Sequence, residues 1–246
     1  MIKYIRFIFF TTFLAMVFAQ DKPTVYRGVY IKPKAGMIEK LENGFKDHNK
    51  KFHTKKDHEV ISFQMISGPR YGWYLRVTGG NDWSHFDKIG SNPEDAKHWA
   101  KYILPYTEPV PMNDAGPFHA VYLPDLSYNY ETTILSRVRT VTLKHAMGRR
   151  FRAFRQKIKE ADVKTKSKSR YAIYYIDDGA NAGNYVEIYP MDKWEDLNPS
   201  LPSWSERIDK AHGAGATDKL LEEISKIGTN RTSEVRKRRL DLSTSN

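Results

Sequence analysis

The sequence predicts an α+β protein built from two copies of one βαββαβ unit. Two observations lead there. Gly72, Tyr74 and Trp83 recur as Gly183, Tyr185 and Trp194 at one constant interval, and internal repetition of this kind decides the architecture before any single element does. The hydrophobic pattern also switches between strand and helix periods in the same order in both halves.

The first residues stand apart. Lys3 and Arg6 precede an apolar run from Phe7 to Phe18, and Val17-Phe18-Ala19 places small residues before polar Gln20-Asp21-Lys22. This is the pattern of a secretory leader over 1–19, too short for a membrane span, which needs roughly 20 apolar residues. The expected location is therefore secreted or periplasmic. The first module is expected over 20–127 and the second over 128–246.

In the first module, Val25, Arg27, Val29 and Ile31 alternate with Tyr26, Gly28 and Tyr30, a strand signature over Tyr26 to Lys32. Ile38, Leu41, Phe45 and Phe52 then mark one stripe of a helix over Met37 to Phe52. Val60 to Ile66 and Gly72 to Val77 form two strands, with Gly68-Pro69-Arg70 as the hairpin signal. Pro93 to Leu104 carries Ala96, Trp99, Ala100 and Ile103 at helical spacing, and Pro105 ends it. Phe118 to Leu123 is the fourth strand.

The second module follows the same order. A strand over Ile134 to Leu143 precedes a basic helix over Arg149 to Lys159 with Phe151, Phe154 and Ile158 on one face. Tyr171 to Ile176 and Tyr185 to Tyr189 are paired strands around a turn rich in glycine. Ser205 to Ile227 is helical, interrupted near Gly213 and Gly215, and Val235 to Leu242 is the last strand. Asp125-Leu126-Ser127 recurs as Asp241-Leu242-Ser243 at the ends of the two modules.

Composition narrows the function classes. The chain has 246 residues, 40 Lys and Arg, 29 Asp and Glu, a net charge of +11 and no cysteine. Disulfides and thiolate zinc sites are excluded, so the core alone must hold an exported protein together. A basic exported protein meets anionic surfaces or ligands rather than nucleic acid. The segments Arg149-Arg150-Phe151-Arg152 and Arg236-Lys237-Arg238-Arg239 admit weak contact with an anionic membrane surface, or are simply solvated; as a strand, Val235 to Leu242 suits a charged, exposed edge. Asn230-Arg231-Thr232 is a glycosylation sequon, relevant only in a eukaryotic secretory pathway.

A βαββαβ unit with both helices on one face of an antiparallel sheet is ferredoxin-like. Two such sheets can bury their open faces against each other and close one intramolecular α+β barrel. In element order and duplication the chain resembles the dimeric α+β barrel superfamily in its fused form, including antibiotic-biosynthesis-monooxygenase-like and NIPSNAP-like proteins. The resemblance implies three kinds of activity among relatives: cofactor-independent oxygenation, haem processing, and small-molecule binding without chemistry. Its haem-degrading members use an Asn, Trp and His set. Trp73 and His85 match two of these, but the first strand offers Gly28 and Tyr30 in place of asparagine, while Asn184 and Glu195 stand near the corresponding second-module positions. The set is incomplete and the activity is not carried over.

Strand alternation assigns faces. With Leu75 and Val77 under the helices, Tyr74 and Arg76 point into the barrel. With Val186 and Ile188 under the helices, Tyr185 and Glu187 do so in the second module. Arg76 and Glu187 would then approach across the pseudo-twofold axis. Tyr30, His119 and Arg139 are further candidates for the interior or its rim. The resulting site is an aromatic pocket for a small aromatic or anionic ligand; a barrel filled with its own side chains, in a protein that interacts through its surface, remains the alternative.

No metal site is expected. His48, His53 and His58 recur at five-residue steps, which do not align on a helix face, and no His-Glu-x-x-His occurs. No nucleophile elbow or phosphate loop is present, and Asp177-Asp178 reads as a turn. The sequence identifies no cofactor, no reaction and no oligomeric state.

Overall fold

The computed structural model describes residues 22–54, 59–87, 92–199 and 201–244. The expected leader and His58 lie outside them. The elements run β1 (Val25–Pro33), α1 (Ile38–Phe52), β2 (Val60–Ser67), β3 (Tyr74–Asn81), α2 (Pro93–Tyr102), β4 (Thr107–Glu108), α3 (Met112–Ala115) and β5 (Phe118–Tyr122). They continue with β6 (Leu135–Leu143), α4 (Gly148–Lys164), β7 (Ala172–Gly179), β8 (Tyr185–Met191), α5 (Trp204–His212), α6 (Ala216–Ile227) and β9 (Gly228–Arg238).

The sheet is a closed ring. Its order is β3-β2-β9-β6-β8-β7-β5-β1, and β1 pairs back onto β3. Among the described strands, only the two-residue β4, against Lys32 and Pro33, stands outside it. Within the ring, β5-β1-β3-β2 and β9-β6-β8-β7 are two ferredoxin-like sheets, and every pairing is antiparallel. The seams are β2 against β9 and β5 against β7. Strand direction alternates around the ring, so both hairpins, β2–β3 and β7–β8, turn at the same end of the barrel.

The repeat persists down to single hydrogen bonds. Gly72 N–H donates to Met65 O, and Met65 N–H to Trp73 O; Gly183 N–H donates to Ile176 O, and Ile176 N–H to Asn184 O. Gly72 and Gly183 both sit at positive φ, 82° and 90°, where a side chain would strain the turn. Gly28 has a different role. A Cβ there would lie 2.3 Å from the Phe118 ring, so the missing side chain lets that ring lie across β1.

Helices cover the outside of the ring. Leu41, Phe45 and Ile103 pack on Ile31 and Tyr74 in the first module. Phe151, Phe154, Ile158, Ile208 and Leu220 pack on Ile173 and Tyr185 in the second. Helix starts are set locally: Asn92 accepts from Glu94 N–H ahead of Pro93, and Ser203 with Glu206 forms a capping box.

Several elements differ from the sequence expectation: β4 and α3 are additional to it, and β3 runs on to Asn81. The last strand begins at Gly228 instead of Val235 and ends at Arg238; Leu240–Leu242 is a 3-10 turn. Its polar first half, Thr229 to Glu234, gives no hydrophobic signal, because pairing with all of β6 holds it in the sheet. Helix α4 runs on to Lys164, since Ala161 and Asp162 continue its buried face.

Candidate functional site

The ring encloses a cavity of about 440 Å³. Both modules line it. Tyr30, Leu75, Val77 and Phe118 come from the first sheet, and Val138, Thr140, Val186 and Ile188 from the second. Pro69, Arg70, Trp73, Asn181, Asn184 and Asn230 surround the hairpin end. Pro69 and Asn230 are exposed, so the cavity reaches the surface there. Ligand sites of this kind are mostly apolar, with a few placed polar groups.

Among the described residues, three charged ones line this space: Arg70, Glu234 and Arg236. Arg70 clamps Glu234 in a fork, with Nε at 2.9 Å and Nη2 at 2.6 Å from its two carboxylate oxygens, and lies 3.7 Å above the Tyr30 ring. Glu234 is buried. Arg236 is also buried; its Nε donates to Ser136 Oγ at 2.9 Å and its guanidinium lies 3.8 Å above the Phe63 ring. Among the described residues no carboxylate lies within ion-pair distance of Arg236. The cavity wall therefore carries one positive charge more than it neutralises. Tyr26 and Tyr174 stand edge to face, 5.7 Å apart. Burial pushes the phenols of Tyr26, Tyr30 and Tyr174 up, so they are neutral donors.

Most of the residues expected to face the ligand lie elsewhere. Tyr30 lines the cavity. Tyr74, Arg76, Tyr185 and Glu187 face the helices, and Leu75, Val77, Val186 and Ile188 face the interior. Tyr74 packs against Phe45 and donates to Glu42. Arg76 donates to Asn49 Oδ1 and lies 4.7 Å from the Phe45 ring; burial lowers its pKa to about 9, although Asp95 opposes this. Glu187 pairs with Arg155 of α4 at 3.2 Å and accepts from Tyr189. Tyr185 packs against Phe151, with ring centroids 4.4 Å apart and the planes tilted by 44°. Arg76 and Glu187 are therefore each satisfied by their own module and do not meet across the axis. Arg139 lies opposite Glu187 in the β6–β8 register and over the Tyr189 ring, on the helix side. His119 lies on the face of β5 opposite Phe118 and Ala120, 3.3 Å from Asp178 Oδ2 and beside Trp83 and Phe86.

The reason for the exchange is that both faces of the sheet are covered. Leu75 and Val77 are as well buried against a barrel interior as against a helix, so apolarity alone does not choose. Register does: Tyr30 opposes Leu75 and Ile31 opposes Tyr74, so Tyr30 and Tyr74 cannot share a face. Arg70, Glu234 and Arg236 escaped the sequence reading because the basic run near the C-terminus resembles a solvated edge. The signal that could have found them is the alternation Thr232, Glu234, Arg236.

Histidines also assemble outside the cavity. His48 of α1 lies with His53 and Asp95, each offering one ligand atom within 4.8 Å of the others. The five-residue step misled because α1 ends at Phe52, and His53 is the cap, outside helical geometry at φ −120° and ψ 44°.

The resemblance brings haem into question for the cavity. Among the described residues its walls contain no histidine, cysteine or methionine, and burial raises the pKa of the Tyr26, Tyr30 and Tyr174 phenols. This donor set does not fit an axial haem ligand.

No protein-family model and no curated protein match the chain. Solved structures do. A putative monooxygenase from Fusobacterium nucleatum subsp. nucleatum superposes with a TM-score of 0.54 at 9% identity, over 89% of this chain and 93% of that one. One from Lactobacillus acidophilus gives 0.51 at 10% identity, over 92% and 97%. A mutant chlorite dismutase from Candidatus Nitrospira defluvii gives 0.52 at 10% identity, over 88% and 92%. At such identities the likeness is one of fold: the chain shares the closed α+β barrel of these structures, with both halves of the barrel on one polypeptide.

Proposed function

We propose that the protein binds a small aromatic anion inside the barrel, and that it does so outside the cytoplasm, as its leader-like N-terminus suggests. Arg236 carries the reading. It is a buried guanidinium on the wall of an aromatic cavity, bonded to a serine hydroxyl and lacking a carboxylate partner among the described residues. A buried charge is costly unless paired, and a ligand carboxylate or phenolate would pair it. Tyr30, Phe118, Tyr26 and Tyr174 supply flat walls for the ring.

Calorimetric titration with naphthalene-2-carboxylate tests this, with naphthalene-2-methanol as the neutral control. The acid is expected to bind at least about tenfold more tightly, and Arg236→Met to abolish that preference. Equal affinity for acid and alcohol, or a preference that survives Arg236→Met, sinks the reading.

The structural likeness to putative monooxygenases supports a second reading, oxygenation of an electron-rich ligand in the same cavity without a bound cofactor. Oxygen uptake by the purified chain with a hydroxynaphthoquinol would favour it. Tight binding without oxygen uptake would favour simple carriage.

A further inference from the structure

We propose that His48, His53 and Asp95 form a site for a divalent transition-metal cation of the zinc class in the helix layer of the first module. The site lies on the opposite side of the sheet from the barrel cavity. His48 comes from α1, His53 from the residue that ends α1, and Asp95 from the first turn of α2. Their ligand atoms all lie within 4.8 Å of one another. Bonds of about 2.0–2.2 Å require donors within roughly 4 Å of each other, so a modest rotamer adjustment closes the set. His48 Nε2 is already 3.1 Å from Asp95 Oδ1, the spacing of two donors on one tetrahedral cation.

The surroundings are those of a supported site. His48 is buried, with its Nδ1 3.2 Å from His98 Nδ1. His98 stands one turn beyond Asp95 on the same face of α2, so it can orient the His48 ring while the other nitrogen faces the cation. Phe52 and Trp99 flank His48, with ring centroids 5.0 and 5.3 Å away, and help bury its ring. Two imidazoles and a carboxylate suit zinc, cobalt, nickel or copper and are too nitrogen-rich for calcium or magnesium. Asp95 also attracts the half-buried Arg27 and the buried Arg76 guanidiniums. A bound cation must share that carboxylate, which places the affinity below that of all-thiolate structural zinc.

The test is titration of the untagged full chain, stripped with chelator, with cobalt(II). The expected result is a saturable visible spectrum of a low-symmetry site at one equivalent, displaced by zinc, together with a higher melting temperature in zinc. His53→Gln and Asp95→Asn change half-buried groups and should retain the circular dichroism of the parent. Each is expected to weaken cobalt binding at least roughly tenfold. His98→Gln, a positioning change, should shift the cobalt spectrum while leaving the stoichiometry intact. Absence of a saturable spectrum in the parent overturns the proposal. So does a spectrum that persists unchanged in the folded His53→Gln/Asp95→Asn double variant.

Discussion

Ser127 and Ser243 make the same pair of hydrogen bonds at opposite seams of the barrel. Ser127 Oγ donates to Leu123 O at 2.8 Å and accepts from Ile173 N–H at 2.9 Å; Ser243 Oγ donates to Arg239 O at 2.7 Å and accepts from Ser62 N–H at 3.0 Å. Each serine belongs to one module and its N–H partner to the other. The preceding leucines cross over too: Leu126 is buried in the helix core of the second module, and Leu242 in that of the first. The repeated Asp-Leu-Ser triplet is thus the clasp of the ring.

Loosening the clasp should cost stability at both seams. Ser127→Ala strands a buried N–H and is expected to lower the unfolding free energy by about 1–2 kcal/mol. Leu242→Ala opens a hole under α1 and should cost about 2–5 kcal/mol. Urea denaturation measures both. Loss of less than about half a kcal/mol in the leucine variant would mean that the seam does not depend on this insertion.

The face assignment makes a sharp contrast between two sets of variants. Leu75→Trp and Val186→Trp fill the cavity and should abolish binding of the naphthalene acid while the chain stays folded. Arg76→Ala and Glu187→Ala act outside the cavity. Glu187→Ala leaves Arg155 buried without its carboxylate and should destabilise by about 3–5 kcal/mol, with ligand affinity unchanged in the fraction that folds. Comparing calorimetric affinity with denaturation midpoints separates the two effects. Intact binding in Val186→Trp would place the ligand somewhere other than the barrel.

That contrast also shows what the sequence could carry. Element order, duplication and the Asp-Leu-Ser echo are local or periodic signals, and they survive into the closed ring nearly residue for residue. Which face of a strand looks inward is a property of pairing. Tyr30 and Tyr74 look alike as isolated aromatics in strands, yet the β1–β3 register puts them on opposite faces. The histidine site was hidden for a related reason: helical spacing rules stop applying at His53, where the helix ends, and Asp95 reaches the site through tertiary packing of α2 on α1. Arg236 is basic, like its neighbours Lys237 and Arg238, and only its place in the sheet buries it.

The Arg70–Glu234 fork joins the β2–β3 hairpin of one module to β9 of the other at the cavity wall. Arg70→Met leaves a buried carboxylate alone and should cost about 3–5 kcal/mol. Arg70→Met/Glu234→Leu removes both charges and should recover most of that loss. A double-mutant cycle in guanidinium chloride measures the coupling. Additive effects of the two single changes would show that the pair does not act as a unit.

Acid should weaken the same union of modules elsewhere. Arg239, at the end of β9, grips Glu42 of α1, with Nη2 at 3.0 Å, and Asp241, with Nε at 2.8 Å. The Arg239 hydrogen bonds hold both carboxyls below their ordinary values of 4.5 and 3.8. Between folded and unfolded values the unfolded chain binds more protons, so stability rises with pH there. The contribution is therefore complete above about pH 4.5 and is lost as the pH falls through the lowered folded values. Arg239→Met should flatten that part of the stability profile and leave the neutral-pH profile parallel to the parent but lower. Denaturant midpoints from pH 7 downward decide it, and an identical acid slope in parent and variant would assign the acid sensitivity to other carboxylates.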